Sequence, residues 1–209
     1  MRYKLSYSPE FRAEIIESVG STRLILGSNS LRRAEILKML GLEFEKVVPE
    51  IDENIDNGEL PPDYAQKLAV RKSLAVQAER EGVIIGADTI VVLGDRIINK
   101  PEDPDEAREM LEQLSGRVHS VITAMALRET GSEKAVYGYS ESRVKFRQLS
   151  SEKIQEYVGS GEPFGKAGAY AIQGGGGMLV ESYEGDLDTI IGFPAVLFKD
   201  LIKKLKSEV

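Results

Sequence analysis

The groups in this sequence that could do chemistry stand where plain structural residues would be cheaper. Ser28-Asn29-Ser30-Leu31-Arg32-Arg33 follows the apolar run 24–27 and opens a stretch with apolar residues at Leu31, Ile36, Leu37 and Leu40, closed by Gly41. That spacing predicts strand, tight turn, helix, with Ser30 as the N-cap. A helix N-terminus offers free N–H groups and the positive end of a dipole, which together bind anions. Arg32 and Arg33 in the first turn oppose that dipole, by roughly a few tenths of a kcal/mol, unless an anion compensates. Either the turn is an anion site built from Ser28, Ser30, Arg32 and Arg33, or Ser30 is an ordinary cap and the arginines are solvated. It is not a P-loop, because GxxxxGK[ST] occurs nowhere in the chain.

Asp88 sits inside the apolar run Ile84-Ile85-Gly86-Ala87-Asp88-Thr89-Ile90-Val91-Val92. A carboxylate there needs a cation, a metal or hydrogen-bond donors. Asp88 is therefore a candidate acid–base or metal-binding group, or an aspartate at a bulge beside Gly86 taking backbone N–H bonds. Lys72, Lys100 and Lys166 lie in apolar or loop settings where an ammonium suits a phosphate, or where a lysine simply snorkels. The adjacent pair Asp52-Glu53 opens an acidic stretch and could hold Mg²⁺ or activate water, or be solvated charge. The glycine-rich run 168–177 allows close backbone approach to a ligand, and its Gln173 carries an amide able to pair with a base edge. His119, the single histidine, reads as a core residue.

Composition narrows the chemistry. The chain has 209 residues, 34 acidic against 27 basic, for a net charge of −7. That balance argues against a coat for nucleic acid, though not against a small anion in a local basic pocket. The absence of cysteine excludes disulfides, zinc–thiolate sites and thiol nucleophiles. No apolar run reaches the ~18 residues of a membrane span, and the N-terminal stretch lacks the apolar core of a signal peptide. The expectation is a soluble, cytoplasmic protein that works through carboxylates, Lys, Arg, hydroxyls or a hard metal ion.

The elements that must position these residues alternate early between strand and helix, and strands cluster later, which predicts a mixed sheet. Expected helices cover 9–19, 31–40, 63–81, 104–115, 151–158 and a final stretch from Pro194. Expected strands cover 24–27, 43–49, 83–94, a hairpin return through 96–101, 118–129, 134–147, a piece near 170–172, and 178–183. In Asp103-Pro104-Asp105-Glu106 the cap, the first-turn proline and the capping-box glutamate agree on a helix start.

Taken together, these residues resemble the Maf family of nucleoside triphosphate pyrophosphatases. The resemblance is carried, in order, by SxSxRR at 28–33, Asp52-Glu53, LAxxKS at 68–73, GADT at 86–89, Lys100-Pro101, LSGxxHxV ending at Val121, EPxxKAGAYxIQG at 162–174 and GFP at 192–194. It implies an α/β fold with an elongated mixed sheet and flanking helices forming two lobes around a cleft, like inosine-triphosphate pyrophosphatases. It implies one such domain over 23–209, with 1–22 as an N-terminal extension, and commonly a homodimer. It implies cleavage of dTTP, UTP and modified pyrimidine analogues to the monophosphate and pyrophosphate with a divalent cation, Mg²⁺ or Mn²⁺. On the same footing Ser28, Ser30, Arg32, Lys72 and Lys100 would hold phosphates. Glu53 and Asp88 would bind the metal, one of them, with Asp88 the first choice, would orient or deprotonate the attacking water, and Arg33, Thr89 and Gln173 would contact the pyrimidine. Lys166 joins them, although Gly165 replaces the aspartate that many relatives carry before this lysine. The competing reading is a nucleotide-binding regulator of septum formation without turnover.

Overall fold

Four consecutive buried residues, Leu24–Gly27, form strand β1. The computed structural model describes residues 3–51 and 59–207 of the chain. Strand β1 pairs in parallel with β2 (Phe44–Lys46) and with β3 (Val83–Leu93). Parallel neighbours need crossover segments, and these contain α2 (Leu31–Met39) and α3 (Pro61–Ala75). Strand β4 (Arg96–Ile98) turns back on β3 through Gly94, whose φ of +63° suits glycine. With β5 (Val118–Glu129), β6 (Val136–Phe146) and β7 (Val180–Glu184), the hydrogen-bonded order is β2-β1-β3-β5-β6-β7, with β4 on β3. The fold is mixed α/β with a seven-stranded sheet that contains parallel and antiparallel pairs. No helix among the described residues is long and apolar enough to cross a membrane.

The chain divides into two compact units, and β3, β5 and β6 each contribute to both. The first comprises Ser6–Asp88, Thr123–Ser140 and Gly192–Val209. Here α1 (Pro9–Val19) packs on α7 (Ala195–Ser207), burying Ile15 and Val19. Lys206 Nζ donates to the carbonyls of Ser18 and Val19 at 2.7 and 2.8 Å, closing the end of α1. The second unit comprises Met1–Leu5, Thr89–Ile122 and Glu141–Ile191. It holds α4 (Pro104–Leu114), α5 (Ser151–Gly159), 3₁₀ turns at Ala167–Ala169 and Gly175–Met178, and α6 (Leu187–Ile191). Asp103 caps α4 by accepting from the Asp105 and Glu106 N–H groups, both at 2.8 Å, as its sequence predicts.

Several expectations shift. The helix expected over 63–81 starts at Pro61 and ends at Ala75. The buried Arg128 guanidinium receives the carbonyls released there: Nε donates to Ser73 O at 2.8 Å and Nη2 to Val76 O at 3.2 Å. The strand expected over 43–49 shortens to Phe44–Lys46. Residues 170–172 are buried but form no strand, because the chain turns in two 3₁₀ pieces around them. The five-residue α6, ahead of Gly192, had no apolar period long enough to announce it.

Candidate active site

The first cluster grows from the end of β1. Ser30 Oγ accepts the Arg33 N–H at 3.4 Å, making it the N-cap of α2. Ser28 Oγ accepts the Ser30 N–H at 3.2 Å and the Arg33 Nη1 donor at 2.9 Å. Arg33 Nε donates to the Gly192 carbonyl at 2.9 Å. Ser28 and Arg33 are both buried. Arg33 is thus a tie that fixes the Ser28 turn to the Gly192 loop, and not the solvated arginine of the plainer sequence reading. Arg32 lies half-buried on the first turn of α2, beside the helix N-terminus.

The second cluster is the pair Lys72–Asp88. Lys72 Nζ donates to Asp88 Oδ1 at 2.6 Å, and the two residues are 9% and 5% exposed. The buried carboxylate is answered by a cation, as its place in β3 requires. Two glycines bring these partners together. Gly27 and Gly86 face each other in the β1–β3 register. A Cβ on Gly86 would lie 2.2 Å from Ala69 O and 2.7 Å from Ser73 N, so α3 rests directly on β3 backbone at this point. A Cβ on Gly27 would lie 2.7 Å from Val76. Ser28 follows Gly27 and Asp88 stands two residues past Gly86, so both clusters sit where parallel β1 and β3 run on past the glycine pair. That is the side of an α/β sheet where ligands bind.

The remaining candidates belong to the second unit. Thr89 follows Asp88 on β3 and is half-buried. Lys100 is exposed, next to Asn99, whose carbonyl accepts the Gly168 N–H at 3.0 Å. Lys100 therefore flanks the loop that carries Lys166. Lys166 Nζ donates to the Glu162 carbonyl. Gln173 is half-buried and precedes the 3₁₀ turn at 175. Asp52 and Glu53 lie outside the described residues.

Sequence reasoning passed over three residues that organise these groups. Arg128 ends α3 just after Lys72. It obeys the rule that flagged Asp88, a charge within an apolar strand, and could have been found by it. Glu162 and Tyr157 hold the glycine run; Glu162 opens the EPxxKAGAYxIQG block without a role of its own there, and no local pattern marks Tyr157. His119 keeps its core reading: Nε2 and the Tyr170 hydroxyl are 2.9 Å apart, and the ring packs edge-on against Phe146 and Tyr170.

A divalent ion fits this donor set in one form. Among the described residues no three His, Asp or Glu side chains gather into a cage. Asp88 supplies one carboxylate, with Oδ1 shared by Lys72. Mg²⁺ commonly takes one or two carboxylates and fills its shell with water and substrate phosphates. One buried carboxylate, Asp88, is a share of the shell that the protein could supply to such an ion.

The chain is similar to known proteins over most of its length. The model of the Maf-like protein family matches residues 23–205. A dTTP/UTP pyrophosphatase of Clostridioides difficile is 47% identical over 185 residues, covering 88% of this chain and 95% of the relative. One of Aquifex aeolicus is 45% identical over 184 residues, with the same coverage. Among solved structures, a nucleoside-triphosphatase / dITP/XTP pyrophosphatase of Mycobacterium abscessus aligns with 89% of this chain and 96% of its own, at 16% identity and a TM-score of 0.41. With the family model spanning most of the chain and relatives well above 40% identity, the chain belongs to the Maf-like protein family.

Proposed function

We propose that this protein hydrolyses pyrimidine nucleoside triphosphates, dTTP and UTP among them, between the α and β phosphates, releasing the monophosphate and pyrophosphate. The observation that carries this reading is the buried Lys72–Asp88 pair on the same run-out of β1 and β3 as the Ser28–Arg33 turn. Polyphosphate needs N–H groups and cations, which the α2 N-terminus, Arg32 and Lys72 supply. Anhydride hydrolysis needs an aimed water and an acceptor for its proton, which Asp88 supplies. Ser28 stays in place because Arg33 and the Ser30 N–H both bond its Oγ. For Lys100 and Lys166 the family resemblance supports a phosphate-binding role, and for Gln173 and Thr89 a base-binding one. A bound Mg²⁺ or Mn²⁺, held by Asp88 and by Glu53, would neutralise phosphate charge. The names of the relatives support the substrates, and modified pyrimidine nucleotides extend the same class.

The test is a panel of nucleoside triphosphates, canonical and modified, with Mg²⁺ or Mn²⁺, scoring pyrophosphate against orthophosphate. Pyrophosphate as first product from dTTP and UTP is expected. Orthophosphate first, or tight binding without turnover, would overturn the reading, and the latter would favour a nucleotide-binding regulator. Asp88→Asn should lower kcat by about 10²-fold or more, since removal of a general base costs that much, while nucleotide binding persists by calorimetry.

A further inference from the structure

The run Gly174–Gly177 looks like a phosphate cradle, but its donors are already engaged. Gly175 N–H donates to Glu162 Oε2 at 2.8 Å, and Gly176 N–H donates to Oε1 at 3.0 Å. The Tyr157 hydroxyl also donates to Oε1, at 2.8 Å, while its oxygen accepts the Ala171 N–H at 3.3 Å. The carboxylate of the protein itself thus fills the nest of N–H groups that a free anion would use. The glycines serve this packing. A Cβ on Gly174 would lie 2.4 Å from Glu162 Oε1, and one on Gly176 would lie 2.8 Å from the Tyr157 hydroxyl oxygen. Burial pushes the Glu162 carboxyl up, yet the Gly176 and Gly175 N–H bonds, the Tyr157 hydroxyl and the Lys166 charge outweigh it and hold the group below the usual carboxylate range. The occupant is an anion at neutral pH.

Gln173 lies between two fixed points. On one side Ala171 is tied to Tyr157, and on the other Gly175 is tied to Glu162. The Gly174 N–H closes the turn on Ala171 O at 3.2 Å. We propose that Glu162, with Tyr157, is the positioning residue for base selection: its carboxylate locks the glycine turn so that the Gln173 amide is presented in one orientation to a pyrimidine. This rests on the reading that Gln173 contacts the base. A hydrogen-bonding group fixed in advance discriminates between bases better than a mobile one, because orienting it costs nothing on binding.

The experiment compares kcat and KM of wild type, Glu162→Gln, Tyr157→Phe and Gln173→Ala on UTP, dTTP, CTP and GTP. Glutamine in place of Glu162 keeps the shape but sets an N–H₂ against an N–H donor, so the turn loses its lock. Glu162→Gln is expected to raise KM for UTP and dTTP by about tenfold, a factor typical of one charge-assisted hydrogen bond. The kcat should change less than about threefold, and preference over GTP should fall as in Gln173→Ala. The double variant Glu162→Gln/Gln173→Ala should lose no more preference than Gln173→Ala alone. Tyr157→Phe, which removes the hydroxyl's bonds to Glu162 and Ala171 but leaves those of Glu162 to Gly175 and Gly176, should shift preference part of the way and keeps the test alive if Glu162→Gln does not fold. If Gln173→Ala changes preference but neither Glu162→Gln nor Tyr157→Phe does, or if they lose activity equally on every nucleotide, the positioning role is overturned. If Gln173→Ala itself leaves preference unchanged, the base-contact reading fails and the proposal falls with it.

Discussion

A carboxylate in the middle of an apolar strand has to be answered within a few ångströms, and Asp88 is answered by Lys72 at 2.6 Å. Breaking such a pair strands a charge. Lys72→Met should therefore destabilise the protein by about 3–5 kcal/mol, while Lys72→Met/Asp88→Leu, which removes both charges at similar volume, should recover most of that. Urea unfolding of the three proteins checks it. A double variant no more stable than Lys72→Met alone would show that Asp88 finds its compensation elsewhere. This half of the site was legible in a particular way. Asp88 announces itself because its neighbours are apolar, whereas Lys72, 16 residues earlier, looks like any of three lysines until α3 is laid on β3. Arg33 is the sharper case. Its place in the first turn of α2 reads from sequence, but its bond to the Gly192 carbonyl joins residues 159 positions apart, and nothing local signals that.

At the scale of elements, the contact of α3 with β3 decides where the pair forms. Gly86 is the point of closest approach, since a Cβ there would meet Ala69 O at 2.2 Å. The atoms it would strike are helix backbone, which cannot swing aside, so Gly86→Ala must lift α3 and part Lys72 from Asp88. The expected result is a loss of about 3 kcal/mol or more, at the upper end of overpacking, with activity lost alongside. Gly159→Ala is the control: it ends α5 with nothing within 4 Å of a new Cβ, and its stability should change by no more than about 0.5–1 kcal/mol, in the stabilising direction. Thermal unfolding and pyrophosphate release on both variants separate the cases. The elements themselves were legible where caps and periods agree, as at Ser30 for α2 and Asp103 for α4. They were illegible where distant groups decide, as at the end of α3, which Arg128 receives. The 3₁₀ turn at 175 belongs to the second kind, because Glu162 shapes it from 13 residues away.

For the molecule as a whole, acid stability separates two opposing effects. The net charge of −7 means that carboxylate repulsion eases as pH falls from neutrality, which favours the folded state. Buried His119 works the other way. Burial lowers its pKa from 6.5 to about 4. Nδ1 is buried with no partner, so a second ring proton would have nowhere to donate. The unfolded chain takes up that proton below pH 6.5 and the folded chain does not until about pH 4, so the unfolded state binds more protons across this window and stability falls with pH. Between pH 7 and 5 the loss amounts to about 2 kcal/mol for one such group. Glu162 adds nothing comparable there, because its carboxyl is held below the usual range and its contribution is lost only at lower pH. Urea unfolding at pH 7 and pH 5 should show a decline in the wild type that is absent from His119→Gln, whose amide does not titrate. An equal decline in both would mean that His119 is protonated in the fold and that its pocket admits water or an acceptor at Nδ1.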